Sequence, residues 1–321
     1  MRAVLVDTPG GPEALTIGEA PAPAPGPGEV LVRTVASGVN RADVLQRQGH
    51  YPPPAGITDI IGLEASGVVE AVGDGVERWK AGDEVVALLA GGGYAELFVA
   101  PEGQLIPPPP GVDLVSAAGV LEVAATVVSN LAVGRLAAGE VFLVHGGAGG
   151  VGTFATQYAK ALGATVAATA GSPEKLRHCL EHGADYALDY HGDWVAELKA
   201  ATRGADVILD IIGAKYLESN VAALRRGGRI VVIGLQGGVK GTLNLGQLLA
   251  KLGTISATSL RYRPDAEKAA ICAAVEEQVW PMLADGRVRL SPETRVPLAE
   301  VRRAHEQLVG GDNVGKIVLV H

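Results

Sequence analysis

A cluster of glycines near the middle of the chain is the strongest candidate for chemistry. The run Gly147-Ala148-Gly149-Gly150-Val151-Gly152 fits the pattern G-x-G-x-x-G and comes directly after the apolar segment 141–145. A strand that turns through such a run into a helix lets backbone N–H groups approach a pyrophosphate at the positive end of that helix. In this context the motif predicts a dinucleotide site. A glycine-rich packing turn is the other interpretation.

The end of the next predicted strand indicates which dinucleotide would bind. It reads Ala167-Ala168-Thr169-Ala170-Gly171-Ser172, without an Asp or Glu to accept hydrogen bonds from a ribose 2′-hydroxyl. Ser172 and Lys175 follow on the next turn, where a hydroxyl and a cation would suit a 2′-phosphate. A solvated helix lysine is the other interpretation of Lys175. We therefore predict NADPH as the cofactor.

These residues lie in a region where strand-like and helix-like segments alternate. Predicted strands cover residues 141–145, 165–169, 184–188, 207–212, 229–233 and 254–258. Predicted helices cover residues 153–162, 173–182, 217–224 and 245–252. Six strands joined by helices predict an α/β fold with a doubly wound parallel sheet.

The two ends of the chain have a different texture. The first third is rich in turns and short strands, which we expect at 3–6, 29–36, 67–72, 84–89 and 95–99. Its proline-rich run 21–28 predicts a surface loop, because proline is excluded from helix interiors and central strands. The tail predicts a helix from about Pro264, a strand over 290–296, a helix over 298–308 and a closing strand over 316–320. We expect this tail to pack back onto the first domain.

Composition limits the protein class. A chain of 321 residues with 48% hydrophobic residues favours two domains with buried cores. The formal net charge of −8 argues against general binding to nucleic acid or to anionic membranes. With only Cys179 and Cys272, the chain has no disulfide framework and no zinc ribbon, although a single disulfide stays open.

The longest apolar stretch tests for a membrane segment. Residues 114–134 are interrupted by Glu122, Ser129 and Asn130, so we interpret them as a buried helical region and not as a membrane span. The amino terminus predicts a strand and lacks the apolar core of a signal peptide. We therefore expect a cytoplasmic protein.

The chain resembles the zeta-crystallin-like quinone oxidoreductases, and most closely their tumour-suppressor-inducible branch. The likeness spans nearly the whole sequence and is most specific at residues 40–49, 62–67, 145–152, 169–172, 209–210 and 313–319. The resemblance implies a GroES-like catalytic domain beside a Rossmann domain, with the active site in the cleft. It also implies homodimers that form by edge pairing of the last Rossmann strand. The corresponding domain limits are 1–122 and 264–321 for the catalytic domain and 123–263 for the NADPH-binding domain.

The resemblance also implies roles for individual residues. Cofactor-binding positions are Asn40 and Thr126 at the nicotinamide end, Gly147, Ala148, Gly149, Gly150 and Val151 at the pyrophosphate, Gly171, Ser172, Lys175 and Tyr190 around the 2′-phosphate, Gly213, Gly234, Leu235, Leu260 and Arg261 along the cofactor through backbone atoms, and Asn313 from the tail. Tyr51 would lie in the substrate pocket and, with Asn40, would hydrogen-bond the substrate. A half-buried packing tyrosine is the other interpretation of Tyr51.

Three positions depart from the family pattern. Close relatives have serine where this chain has Gly149, so any contribution of that hydroxyl to substrate binding is missing. Relatives carry proline and an aromatic residue where Leu121 and Ala124 stand. We expect a substrate pocket of different shape.

The residues at the zinc positions of alcohol-dehydrogenase relatives are of the wrong type. A catalytic zinc needs Cys, His and a further Cys or carboxylate. Here Asn40 stands where the cysteine ligand would be, and Leu63 replaces the histidine. Glu64 and Asp43 remain, and we interpret them as buried structural hydrogen-bonding groups. The sequence predicts an enzyme without a metal.

Quinones fit such a site because they accept electrons without strong polarisation of an oxygen. We predict transfer of a hydride, or of single electrons, from NADPH to a quinone. Reduction of an enone or enoyl double bond is the alternative reaction. A cofactor-occupied structural or RNA-binding protein, as some zeta-crystallin relatives are, is an alternative of another class, and the net charge of −8 argues against RNA.

Overall fold

The computed structural model describes residues 1–310 and 314–321. Its strands are β1 (Arg2–Leu5), β2 (Thr16–Glu19), β3 (Glu29–Val39), β4 (Glu64–Val72), β5 (Glu84–Leu88), β6 (Leu97–Pro101), β7 (Leu105–Ile106), β8 (Val141–His145), β9 (Thr165–Ala170), β10 (Tyr186–Asp189), β11 (Ala205–Asp210), β12 (Leu224–Val232), β13 (Thr254–Ala257), β14 (Glu293–Pro297) and β15 (Lys316–Val320). Its α-helices are α1 (Arg41–Arg47), α2 (Leu114–Ala117), α3 (Leu121–Val133), α4 (Gly150–Ala161), α5 (Pro173–Glu181), α6 (Trp194–Thr202), α7 (Leu217–Ala223), α8 (Leu245–Lys251), α9 (Asp265–Ala284) and α10 (Val301–Gly310).

One compact unit contains residues 126–259 and 285–291 and is the Rossmann unit. Among the described residues its strands form a six-stranded parallel sheet in the order β10-β9-β8-β11-β12-β13. Every residue of β8 is buried, as the continuous apolar run predicted for a strand covered on both faces. The predicted doubly wound sheet is confirmed.

Two local differences from the predicted elements have simple causes. Helix α6 was not predicted, yet Asp193 starts it by accepting a hydrogen bond from the N–H of Ala196 at 3.0 Å. Its apolar residues Trp194 and Leu198 lie on one face and are buried. Strand β12 begins at Leu224, five residues before the predicted start, because Leu224 already pairs with Ala205 of β11. An irregularity at Gly227, whose φ is 78°, follows before Arg229 pairs with Val207.

The second compact unit contains residues 1–125, 260–284 and 292–321 and is the GroES-like unit. Its main sheet, as far as the chain is described, has seven strands, with the path β14-β15-β3-β4-β5-β7 and β6 paired to β3. The closing strand β15 is antiparallel to β3, so the tail completes the sheet that the first third of the chain begins. Val30, Val32, Phe98 and Leu105 pack in its core. The predicted fold class is thereby confirmed, and we retain the limits 1–122, 123–263 and 264–321 as a proposal for the domain boundaries.

The apolar segment Leu114–Val133 is long and apolar enough to cross a membrane by length and composition. However, 67% of its most apolar window is buried inside the protein, as is usual for a core helix of a soluble protein. Asp113 accepts hydrogen bonds from the first N–H groups of α2 at 3.0 and 3.1 Å, which fixes where this helical region begins.

Candidate active site

The glycine-rich turn connects β8 to α4 as predicted from the sequence. Gly149 is the residue before the first turn of α4, with an extended backbone, so the free N–H groups of the helix start within the motif. The turn also requires close approach: a Cβ at Gly152 would lie 2.2 Å from the carbonyl oxygen of Gly146. A short helix-start turn of this kind presents backbone donors to an anion, which fits the pyrophosphate of a dinucleotide.

The residues predicted around a 2′-phosphate gather at the end of β9. The side chain of Ser172 accepts a hydrogen bond from the backbone N–H of Lys175 at 3.3 Å and so starts α5. The ring of Tyr190 lies against Gly171, where a Cβ would come within 2.1 Å of the tyrosine oxygen. Gly171, Ser172, Lys175 and Tyr190 therefore occupy one region of the Rossmann unit.

One acidic residue near this region was not anticipated. Asp189, at the end of β10, lies in register with Ala170 of β9. Its carboxylate accepts hydrogen bonds from the backbone and ring of His191, both through Oδ1, at 2.9 and 2.8 Å. The hydrogen bond from the His191 backbone lowers the pKa of Asp189. The carboxylate of Asp189 therefore makes its hydrogen bonds within its own turn.

A third turn of the Rossmann unit follows β11. The carboxylate of Asp210 accepts hydrogen bonds from the N–H groups of Ile212 at 2.7 Å and Gly213 at 3.1 Å. Gly213 has a φ of 76° and lies against Gly234 and Leu235, so these three predicted cofactor positions are adjacent. Thr126, at the start of this unit, is buried, and its carbonyl oxygen accepts a hydrogen bond from Asn130 at 2.7 Å.

In the GroES-like unit the amide of Asn40 is held on both sides. Its Nδ2 donates to Oε1 of Glu64 at 3.0 Å, and its Oδ1 accepts from Nζ of Lys316 at 2.6 Å. Lys316 also pairs with Glu64 at 2.6 Å, and the second oxygen of Glu64 accepts from the N–H of Glu122 at 3.0 Å. Sequence reasoning found Asn40 and Glu64 but missed Lys316, which is 252 residues from Glu64 in the chain.

This cluster also occupies the zinc-ligand positions of alcohol-dehydrogenase relatives. A lysine ammonium balances the Glu64 carboxylate there, and Leu63 presents a buried apolar side chain that cannot bind a metal. The donor set therefore does not fit a catalytic zinc. Cys179 and Cys272 are both free and buried, which answers the open question of a disulfide.

Asp43 is a fully buried carboxyl directly below Asn40. Its Oδ2 accepts from the N–H of Asn40 at 2.7 Å and from the hydroxyl of Tyr94 at 3.1 Å. Its Oδ1 has no hydrogen-bond partner among the described residues. Burial raises the pKa of Asp43 to about 7, against the opposing hydrogen bond from Asn40 and the charge of Lys316. The predicted structural role fits these contacts.

Arg261 holds the segment that carries Tyr51. Its guanidinium donates to the carbonyl oxygens of Ala90 and Tyr51 at 2.7 and 3.0 Å and to Oε1 of Gln46 at 2.7 Å. The guanidinium carbon lies 5.1 Å from the centre of the Tyr51 ring, and the Tyr262 ring meets the edge of that ring. Sequence reasoning assigned Arg261 a backbone role beside Leu260 and did not anticipate this buried side chain. A buried arginine needs hydrogen-bond partners of this kind. The position of Arg261 between apolar residues of segment 260–264 was the one sequence feature that could have indicated a buried side chain.

The three departures from the family pattern differ in their surroundings. A Cβ at Gly149 would meet only the oxygen of Gly146 at 3.5 Å, which is an ordinary contact, so packing does not require glycine there. Leu121 and Ala124 are 1% and 0% exposed, and they fill the interior at the start of α3.

Asn313 lies outside the described residues, so its predicted contact stays a prediction.

Comparison with known proteins agrees with this arrangement. Residues 26–110 match the family model of the alcohol dehydrogenase GroES-like domain, and residues 150–275 match that of zinc-binding dehydrogenases. A quinone oxidoreductase of Pseudomonas aeruginosa is 36% identical over 317 residues, covering 97% of each chain.

Solved structures agree over the full length. Escherichia coli quinone oxidoreductase complexed with NADPH matches with a TM-score of 0.89 at 30% identity, covering 100% of both chains. A mycobacterial protein complexed with NADPH matches with a TM-score of 0.90 at 32% identity, again covering 100% of both chains. The chain therefore belongs to the quinone oxidoreductase family of zinc-independent medium-chain dehydrogenases/reductases and is an oxidoreductase.

Proposed function

We propose that this oxidoreductase is an NADPH-dependent quinone reductase that works without a metal. The observation that carries the proposal is the arrangement at two neighbouring strand ends of the Rossmann unit. The turn from β8 carries helix-start N–H groups that would suit a pyrophosphate, and Ser172 and Lys175, which follow β9, would suit a ribose 2′-phosphate. The NADPH complexes of two similar proteins support the same choice.

The chain contributes positioning. The backbone of residues 147–151 would hold the pyrophosphate of the nucleotide, and the residues around Gly171 would hold its 2′-phosphate. Bound NADPH supplies a hydride, or electrons one at a time, from its nicotinamide carbon C4 to the quinone. Lys316 and Glu64 fix the orientation of Asn40, and Arg261 fixes the Tyr51 segment, so both candidate contact residues are preorganised. After hydride transfer, solvent supplies the one further proton that completes the hydroquinone. After transfer of two single electrons, the hydroquinone takes up two protons from solvent, and the oxidised nucleotide releases one to it.

A fluorescence titration with NADPH and NADH tests the cofactor, and stopped-flow mixing of the NADPH complex with ortho- and para-quinones tests the reaction. We expect tighter binding of NADPH and oxidation of the nucleotide by at least one quinone. Equal affinity for both nucleotides would overturn the cofactor choice. An enone panel under the same conditions separates the alternative: oxidation by enones alone would replace quinone reduction with double-bond reduction.

We also propose a cytoplasmic homodimer that forms through β13. This strand pairs with β12 on one side, and no strand pairs with its other edge among the described residues. The helix that precedes β13 in the chain, α8, exposes Leu245 and Leu249 at 68% and 75%, and Leu252 just after the helix is 57% exposed. An unpaired strand edge and exposed apolar side chains in the preceding helix favour burial against a second copy.

A further inference from the structure

A buried hydrogen-bond network of four polar side chains lies next to the predicted cofactor turns of the Rossmann unit. His145 is the last residue of β8, Thr169 lies in β9, Asp210 ends β11 and Asn220 lies in α7. All four side chains are at most 1% exposed. Buried polar groups are expensive unless they are hydrogen-bonded, so a network of this size in a largely apolar sheet calls for a reason.

The contacts fix the direction of every hydrogen bond. Asp210 accepts backbone N–H groups on both oxygens and therefore acts as an acceptor toward Asn220, whose Nδ2 donates to it at 3.0 Å. The Oδ1 of Asn220 then faces Nε2 of His145 at 2.7 Å, so Nε2 must carry the proton. The remaining ring nitrogen, Nδ1, accepts from the hydroxyl of Thr169 at 3.0 Å.

This hydrogen-bond network joins the three turns at which the cofactor is expected. Thr169 is the last residue but one of β9, which leads to Gly171, and its hydroxyl also accepts from the N–H of Gly146 at 3.4 Å. Its carbonyl oxygen accepts from the N–H of Gly147 at 2.9 Å. At the other end of the network, Asp210 holds the N–H groups of Ile212 and Gly213.

We propose that His145 is a positioning residue for the nucleotide: by joining Thr169 to the Asn220–Asp210 pair, it sets the relative positions of the turns at 146–149, 169–172 and 210–213. The inference rests on the proposed binding of NADPH at these turns. The imidazole acts in its neutral form. Burial lowers its pKa to about 4, and the titratable groups that face it are Asp210, across Asn220, and Tyr216, whose ring meets it at 4.9 Å between centroids.

Three substitutions separate the arms of the network. His145→Asn keeps an acceptor near the place of Nδ1, whereas His145→Gln keeps a donor near the place of Nε2. His145→Phe removes both, so the Thr169 hydroxyl loses the acceptor for its proton and Oδ1 of Asn220 loses its His145 donor. Ile230→Ala, which leaves a cavity at a buried position of β12, is the control for a general loss of stability.

Two measurements test the proposal: the Kd of NADPH by fluorescence, and amide hydrogen exchange of the nucleotide-free protein. We expect His145→Phe to raise Kd at least about 30-fold, the Asn and Gln variants to raise it less, and Ile230→Ala to leave it within about twofold. Exchange should increase at residues 146–149 and 210–213 in His145→Phe and not in Ile230→Ala.

The two readouts keep the outcomes apart. If the folded His145→Phe protein binds NADPH as the wild type does, or if Ile230→Ala loosens the same turns equally, His145 has only a structural role and the inference is wrong. If the wild type itself ignores NADPH while exchange at both turns responds to His145→Phe alone, the proposed function fails and the linkage of the turns stands.

Discussion

Lys316 and Glu64 form an ion pair inside the GroES-like unit, with Nζ 2.6 Å from Oε1 and side chains only 8% and 0% exposed. The same ammonium holds Oδ1 of Asn40, so one cation satisfies a buried carboxylate and orients a predicted active-site amide. Removing one partner of such a pair leaves an uncompensated buried charge, which is more harmful than removing both.

Lys316→Met should therefore lower the free energy of unfolding by about 3–5 kcal/mol, because Glu64 loses its counter-ion. Adding Glu64→Gln should restore part of this loss, because the neutral amide needs no counter-ion and its oxygen can still accept from the N–H of Glu122. Urea unfolding of the two single variants and the double variant measures the coupling. Arg33→Ala, which breaks an exposed pair with Glu70, is the control and should cost about 1 kcal/mol or less. A Lys316→Met cost no larger than this control would contradict the prediction.

Asp43 predicts a pH dependence of stability. Burial raises the pKa of this carboxyl from 3.8 to about 7, so the folded protein holds its proton more tightly than the unfolded chain. The contribution of Asp43 to the free energy of unfolding is fully present below about pH 4 and is lost as the pH rises through about 7. Asp43→Asn lacks this titration, and its stability relative to the wild type should rise between these limits, by on the order of 3 kcal/mol. Urea unfolding at several pH values checks it, and a constant difference would show that the carboxyl is not perturbed.

Arg261 predicts a change in substrate binding that spares the cofactor. Arg261→Lys loses the fork that reaches Tyr51 and Gln46 together, so the Tyr51 segment should loosen. We expect KM for the quinone to rise about tenfold while the Kd of NADPH stays within about twofold. Steady-state kinetics and fluorescence titration measure the two. Arg263→Gln, which breaks only the neighbouring pair with Glu267, should change neither. If KM for the quinone and the Kd of NADPH both rise, the substitution acts by lowering the overall stability of the protein and the prediction is wrong.

Lys175 predicts the discrimination between the two nucleotides. Lys175→Glu puts a negative charge where the 2′-phosphate is expected, so the Kd of NADPH should rise at least about tenfold and that of NADH should hardly change. Lys199→Glu in α6 makes the same charge change elsewhere in the unit and serves as the control. If Lys175→Glu weakens the binding of NADPH and NADH equally, Lys175 does not contact the 2′-phosphate.

Local patterns predicted the parts of this protein that depend on neighbours in the chain. The apolar run 141–145, the glycines after it and the helix that begins after Ser172 each depend on a local pattern, and they appear where the sequence predicted them. Lys316 with Glu64 and Arg261 with Tyr51 could not be found in this way, because each pair joins residues more than 200 positions apart. The direction of the His145 hydrogen bonds likewise depends on Asn220 and Asp210, which only the folded sheet brings beneath the turns.

The exposed face of α8 predicts the oligomeric state. Leu249, in the helix that precedes β13, is 75% exposed, and association with a second copy would remove this apolar side chain from water. Leu249→Glu places a charge in this face and should convert the proposed dimer to a monomer at micromolar concentration, while the nucleotide affinity is retained. Light scattering coupled to size exclusion measures the mass. Leu180→Glu changes an apolar residue of α5 that is 51% exposed, and it should leave the dimer intact. A monomeric wild type, or a Leu249→Glu protein that still elutes at the dimer mass, would remove β13 and α8 from the interface.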